Sequence, residues 1–174
     1  MFEIKQLNPE VYRQQTRRST LIIAVMFAVL AVAFSSIAVM LFGETGGDNF
    51  RFNAAGVIAG LLLTIALVRV QFWSQPWMAP AVYGWQLKRN LMKITNAMHH
   101  VTAGVEINDP AAMKLLRFYH LGITQMHVLD ANSSAHLQMI QEIDQHQQRL
   151  VALAIDPDQF RLDPAWIDAV KRRN

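Results

Sequence analysis

Two long apolar runs dominate the first half of the chain. The first covers residues 20–42 without a charged side chain, and the second covers residues 52–73 and is interrupted only by Arg69 and Gln71. A helix rises about 1.5 Å per residue, so about 20 residues cross a hydrocarbon layer about 30 Å thick. A soluble helix keeps one polar side, and these runs have none. The pattern therefore predicts two transmembrane helices joined by a short outside loop at 43–51.

The second half of the chain alternates apolar and polar positions with the period of a helix. Leu87, Leu91, Ile94, Met98 and Val101 recur every three or four residues, which predicts a helix over about 82–102. Asp109 and Pro110 are a helix cap and a first helical residue. We expect the helix that they open, at about 110–131, to be the most buried one, because it is apolar on more than one side. Two further helices are predicted at about 134–155 and 164–172.

The predicted fold is all-α: a two-helix transmembrane hairpin followed by a small cytoplasmic helical bundle with three longer helices and a short C-terminal helix. Its parts are a solvated cytoplasmic N-terminal arm, the hairpin, an interfacial elbow and a cytoplasmic helical domain, at residues 1–19, 20–73, 74–85 and 86–174.

The positive charges near the apolar runs predict the orientation. Arg51 is the only basic residue of the loop region, whereas the flanks carry Arg13, Arg17, Arg18, Arg69, Lys88, Arg89 and Lys93. By the positive-inside rule both termini are cytoplasmic, and a bacterial inner membrane is the simplest location. A basic start before an apolar run is also typical of a signal peptide, but this run is longer than a typical signal core. We expect it to be retained.

Composition excludes several kinds of site. The chain has no cysteine, so disulfides, thiolate nucleophiles and cysteine-ligated metals are excluded. Its net charge of +3 is small, and the basic residues concentrate beside the apolar runs, so nucleic acid is not an expected partner. Neither a phosphate-binding loop nor a dinucleotide fingerprint occurs in the sequence.

Aromatic and basic residues cluster where the second apolar run ends. Tryptophan and arginine side chains suit the headgroup zone of a bilayer, and the prolines at 76 and 80 break the helix there. The predicted interfacial anchors are Arg69, Trp73, Trp77, Trp85, Lys88 and Arg89. The alternatives are an aromatic box that stacks a ligand, or a functional buried cation at Arg69.

Gly56 and Gly60 are spaced as a small-xxx-small motif, which lets another backbone approach closely. The strip packs either inside the hairpin, against Ala31, Ala33 or Ser35, or against a second chain. The sequence leaves both open.

All six histidines lie in the predicted cytoplasmic domain. His120 and His127 share one helix face, and Glu142 and His146 share another, so a His/Glu site between two helices is an alternative reading that would take a metal ion or haem. The spacing matches neither a metalloprotease helix nor a di-iron bundle.

Several segments together resemble a known family. They are the Phe2-Glu3-Ile4 and Tyr12-Arg13-Gln14 arm, the tight hairpin, residues 75–78 with 83–89, and the helix segment 118–122. The chain is identified by them as a member of a family of small bacterial inner-membrane proteins, domain of unknown function 3087. The resemblance implies two spans and a helical cytoplasmic domain, and it transfers no activity and no catalytic residue.

The leading hypothesis is a non-catalytic accessory or scaffold protein with no cofactor, whose partners are the lipid bilayer and another membrane protein or itself. The metal- or haem-binding protein is the alternative. A third reading is an enzyme that acts on lipids at the Trp/Arg elbow.

Overall fold

The computed structural model describes residues 1–172, with side chains described outside 133–138. The elements in chain order are β1 (Phe2–Glu3), α1 (Pro9–Phe42), α2 (Phe50–Leu67), α3 (Ala79–Thr95), α4 (Met98–Glu106), α5 (Pro110–Leu129), α6 (Ser133–Ala152), β2 (Arg161–Leu162) and α7 (Pro164–Arg172). A π-helical turn (Val68–Phe72) and a 3₁₀ turn (Pro76–Met78) separate α2 from α3. The predicted all-helical fold is confirmed, with two long apolar helices before a helical region.

The chain divides into two compact units. The hairpin unit contains residues 14–82, and the globular unit contains residues 1–13 together with the chain from Tyr83 onward. The last two residues of the predicted cytoplasmic domain, 173 and 174, lie outside the described residues.

In the hairpin unit, small residues of α1 and α2 face each other. A Cβ atom on Gly60 would lie 2.8 Å from Ala31 Cα, and one on Gly56 would overlap the backbone of Ser35. Thr64, one turn after Gly60, donates its hydroxyl to the Gly60 carbonyl at 2.8 Å. Because the interior is made of these small residues, the large aliphatic side chains of both helices stay on the outside of the pair.

In the globular unit, α5 supplies much of the core, as the sequence predicts. Its buried residues include Met113, Leu115, Leu116 and Phe118. Asp109 caps α5 by accepting a hydrogen bond from Ala112 N at 3.4 Å, with Pro110 at the first helical position. The capping pair therefore starts the central helix where the sequence predicts its start.

The expectation of a solvated N-terminal arm is wrong. Phe2 and Glu3 pair antiparallel with Leu162 and Arg161, and Ile4 N donates to Phe160 O at 2.9 Å. Alternation along the strands buries Leu162 and Ile4 while Glu3 and Arg161 stay exposed. The first residues of the chain thus belong to the folded core.

Tyr83 and Tyr12 hold this N-terminal segment on α3. The Tyr83 hydroxyl accepts a hydrogen bond from Lys5 N at 3.0 Å. Tyr12, in the first turn of α1, packs so closely on Gly84 that a Cβ atom there would overlap its hydroxyl group. Helix α1 starts well before the apolar run because Asn8 accepts hydrogen bonds from Glu10 N and Val11 N, and Pro9 takes the first position.

The single helix predicted at 82–102 is also wrong, since two helices cover that region. Thr95 and Asn96 are weak helix formers, and the Thr95 hydroxyl donates to Leu91 O at 3.0 Å. The chain turns at Ala97, which is buried, and α4 begins at Met98. The elbow is shorter than predicted, because α3 already begins at Ala79.

Candidate functional site

A polar cluster lies in the core between α5 and α6. We call Arg117, His120, Glu142, His146 and Gln147 the His/Arg cluster. His120 is fully buried, and its ring centroid lies 5.3 Å from that of His146 in an edge-on arrangement. His120 Nε2 is 3.4 Å from Glu142 Oε1, but this geometry is not that of a hydrogen bond, and both ring nitrogens of His120 are buried without a partner among the described residues.

Contacts across the two helices fix the other members of the cluster. His146 Nε2 is 3.0 Å from Met113 O, and because a carbonyl only accepts, His146 carries its proton on Nε2. Arg117 Nε donates to Pro157 O at 2.9 Å, and its Nη2 donates to Gln147 Oε1 at 2.8 Å. Arg117 Nη1 is buried without a partner among the described residues. The cluster is therefore an internal polar network with unmet donors.

Burial sets the ionisation of these groups. Burial, together with the electrostatic effect of His146 and Arg117, lowers the pKa of His120 from 6.5 to about 4. Burial also lowers the pKa of His146, against the hydrogen bond to Met113 O, which raises it. Burial lowers the pKa of Arg117, whereas the carboxylates of Asp158 and Asp144 raise it. Both histidines are consequently neutral at pH 7.

Three of the four residues named for a metal or haem lie in this cluster: His120, Glu142 and His146. The Nε2 atom of His146 is committed to Met113 O. His127, seven residues after His120, is half-buried in the last turn of α5. No group of three or more His, Cys, Asp or Glu side chains that could hold a metal ion occurs in the described part of the chain. Arg117 and Gln147, which sequence reasoning missed, complete the network instead.

The predicted interfacial anchors divide between the two units. In the hairpin unit, the Arg69 guanidinium lies 4.9 Å from the Trp73 ring centroid, and Phe72 packs on Trp77 at 5.5 Å. The Arg69 side chain is exposed on the surface of the hairpin unit. In the globular unit, Lys88 pairs with Asp130 at 2.9 Å, while the Arg89 guanidinium lies 4.8 Å from the Trp85 ring centroid.

Trp85 and Arg89 form one wall of a groove with a volume of about 380 Å³. We call it the basic groove. Helix α3 contributes Trp85, Gln86, Arg89, Asn90 and Lys93. The opposite wall comes from the N-terminal strand, β2 and the start of α7: Met1, Phe2, Leu162, Pro164 and Ile167. Lys88 is not part of it, although it is adjacent to Arg89 in the sequence.

A second groove of about 390 Å³ lies on the other face of the β1–β2 pair. We call it the acidic groove, because its charged residues are Glu3, Asp158 and Asp163 with Arg161. Phe2 and Leu162 face the basic groove, while their sequence neighbours Glu3 and Arg161 face the acidic one. The alternation of side chains along a strand accounts for this division.

The chain belongs to the family described as "Protein of unknown function (DUF3087)", whose model matches residues 2–167. Neither a curated protein nor a solved structure matches the chain.

Proposed function

We propose that this chain is a two-span protein of the bacterial inner membrane, whose hairpin anchors a cytoplasmic helical unit that acts through contacts with other proteins. The observation that carries the proposal is the exposed apolar surface of the hairpin unit. Helices Pro9–Phe42 and Phe50–Phe72 are long and apolar enough to cross a membrane, yet only 6% and 17% of their most apolar windows are buried.

The low burial argues against a soluble role for these helices. A core helix of a soluble protein has the same length and composition, but its apolar side chains are covered by the rest of the protein. Here Val29, Val32 and Met40 of α1, and Leu62 and Ile65 of α2, are exposed. A continuous apolar surface of this extent is unstable in water and stable in lipid.

The two chain segments that make up the globular unit support an even number of membrane crossings. Residues 1–13 precede the first apolar run, and the chain from Tyr83 follows the second, yet both fold into the same unit. Two segments can share a core only on one side of a membrane. The shared core also favours retention of the first helix, since cleavage after it as a signal peptide would remove Ile4 and Tyr12 from the core.

The positive charges favour the cytoplasm as the side of the membrane on which the globular unit lies. Arg13, Arg17 and Arg18 flank the first span, and the turn between the helices carries Glu44 and Asp48. Membrane insertion keeps basic flanks on the cytoplasmic side.

Support for a protein partner comes from exposed apolar side chains on the globular unit. Ile107 is among its most exposed aliphatic residues, and Val151 and Leu153 are exposed at the end of α6. Arg149 donates to Asn108 Oδ1 at 2.9 Å and to Glu106 O at 3.2 Å, which fixes the Ile107 loop on α6. Apolar side chains that stay exposed on a fixed loop are available for a contact with another protein.

Topology reporters test the anchoring. A reporter inserted after Gly46 is expected to be active outside the cytoplasm, and a reporter fused after Asn174 is expected to be active inside it. The reverse pattern, or the same compartment for both, contradicts the two-span arrangement.

Crosslinking in native membranes tests the protein contact. A photoreactive residue at position 107 is expected to capture one dominant protein, whereas the same residue at Thr102 on the exposed side of α4 serves as the matched control. Equal or absent capture at the two positions contradicts the accessory role.

A further inference from the structure

We propose that the basic groove binds the phosphate group of an anionic phospholipid. The inference rests on the proposed function, since it identifies the lipid that the globular unit of a membrane-anchored protein holds. The groove brings together two cations, an indole ring and an apolar wall, which are the parts of a site for a charged amphiphile.

The charges of the groove favour an anion. Arg89 and Lys93 line it, and its described lining contains no carboxylate. The ion pairs of Lys and Arg among the described residues are Lys88–Asp130 and Arg161–Glu3, so neither groove cation is neutralised by one of them. Arginine is suited to a phosphate because its planar guanidinium donates two parallel hydrogen bonds, and a lysine beside it adds a point charge.

Neighbouring contacts hold the two cations in position. The Arg89 guanidinium stacks on the Trp85 ring, which restricts its motion and leaves its edge for a ligand. Lys93 Nζ donates to Asn90 Oδ1 at 3.4 Å, and Asn90 Nδ2 donates to Gln86 O at 2.9 Å. The cations thus lie one helical turn apart on α3 and face one groove.

The opposite wall suits the apolar part of a lipid. Phe2, Leu162 and Ile167 line it, and Trp85 supplies an amphipathic ring at 43% exposure. A volume of about 380 Å³ falls within the range of about 300–1,000 Å³ that small-molecule sites occupy. A phosphate ion alone would use the cations and leave this wall unoccupied.

The distribution of charge in the globular unit also separates this groove from a uniformly basic surface. The acidic groove is of nearly equal size and carries three carboxylates against one arginine. An anion is therefore expected to bind in one groove and to be repelled from the other. Helix α3 is the first long helix after the apolar hairpin in the sequence, where basic and indole side chains serve to contact lipid headgroups.

A titration of the full-length chain in a neutral detergent tests the proposal. Calorimetry compares three probes: a short-chain phosphatidylglycerol, the matching phosphatidylcholine, and inorganic phosphate. We expect phosphatidylglycerol to bind with about one molecule per chain and phosphatidylcholine to bind at least about tenfold more weakly. Inorganic phosphate at the same concentrations is not expected to compete.

Charge-matched variants locate the binding. Arg89→Gln with Lys93→Gln is expected to weaken phosphatidylglycerol binding by about tenfold or more, because each basic residue near the anion contributes. Lys5→Gln with Lys114→Gln removes the same charge outside the groove and is expected to leave the affinity within about twofold of the parent. Gln86→Glu places a carboxylate in the wall and is expected to weaken binding without removing a cation.

Three results would overturn the proposal. Equal weakening by the two double variants would assign the binding to general surface charge. Full competition by inorganic phosphate would identify a free anion as the ligand in place of the lipid. Equal affinity for the two lipids would remove the requirement for an anionic headgroup. Since these measurements are made in detergent, they are independent of the topology reporters, and failure of one leaves the other interpretable.

Discussion

Arg117 and His120 bring polar groups into the core of the globular unit, and this costs free energy unless the groups find partners. Arg117 recovers part of the cost through Pro157 O and Gln147 Oε1. His120 recovers little, because its two ring nitrogens have no described hydrogen-bond partner and Glu142 is largely exposed. His120 is therefore the residue at which the stability of the unit responds most directly to pH.

We expect the unit to lose stability as the pH falls from about 6.5 to about 4. The pKa of folded His120 is about 4 against an ordinary value of 6.5, so within this window the unfolded chain binds the proton and the folded chain does not. The contribution of neutral His120 to stability is fully present above this pH window. It decreases towards the lower end of the window, by about 3 kcal/mol at about 1.4 kcal/mol per pKa unit. Chemical denaturation of the full chain in detergent, followed at several pH values, measures the slope.

His120→Phe removes the titrating group while keeping a ring of similar size. We expect this variant to lose less stability than the parent as the pH falls from about 6.5 to about 4. At pH 7 it should match or exceed the parent in stability, since an unpaired polar ring is replaced by an apolar one. His127→Phe on the same helix is the matched control and is expected to lose stability at acid pH as the parent does. An unchanged slope in His120→Phe would place the acid sensitivity elsewhere.

The sequence indicated part of this cluster. Helical spacing placed His120 on one face of its helix and Glu142 with His146 on one face of the next, and the two faces do meet. Arg117 was missed because its partners, Pro157 and Gln147, come from other elements, and no local pattern connects them. The only local signal was a lone arginine within the most apolar helix of the globular unit.

At the scale of elements, long or capped segments were predicted well, whereas the short strands and the break within one periodic segment were not. The apolar runs, the Asp109-Pro110 start and the helix Pro164–Arg172 follow from length, capping and periodicity. The β1–β2 pair was missed because two residues per strand carry no period. The break between α3 and α4 was missed because the apolar spacing continues across Ala97.

The hairpin gives a prediction about the Gly56 and Gly60 strip. The two glycines contact Ser35 and Ala31 of the same chain, so Gly56→Leu with Gly60→Leu should force α1 and α2 apart. We expect the double variant to lose about 2 kcal/mol or more of stability, as overpacked sites do. Thermal unfolding in mild detergent, with the particle size measured in parallel, shows the effect.

Ala55→Leu with Ala66→Leu, both at exposed positions of α2, is the matched control and should keep the parent stability. A double glycine variant that keeps its melting temperature but changes from an oligomer to a monomer would show that the strip packs against a second chain.

At the scale of the whole molecule, composition separates an apolar first half from a soluble second half, yet the folded units do not follow that division. Residues 1–13 belong with the globular unit although the hairpin separates them from it in sequence. Such an association depends on contacts between distant positions, among them Lys5 with Tyr83 and Tyr12 with Gly84. Neither contact leaves a periodic signal, which is why the arm was expected to be solvated.

The same association predicts how fragments of the chain behave. Residues 83–174 alone lack β1, the strand that pairs with β2, and the side chains of Ile4 and Tyr12, so their core is incomplete. We expect residues 1–13, joined to residues 83–174 by a flexible Gly/Ser linker, to give a more stable protein than residues 83–174 alone. Burial of two large apolar side chains contributes about 3 kcal/mol or more before the entropy of ordering the segment is subtracted. Urea denaturation followed by circular dichroism measures the difference.

Ile4→Asp in the linked protein is the variant that isolates the cause. Ile4 is buried, so the carboxylate would be placed in the core and most of the gained stability should disappear. Lys5→Asp, at the neighbouring exposed position, should keep the gain, because Lys5 contributes its backbone and not its side chain to the Tyr83 contact. Equal stability of the linked protein and of residues 83–174 alone would show that the N-terminal segment contributes nothing to the core. The two flanks of the hairpin would then no longer be required to lie on one side of the membrane.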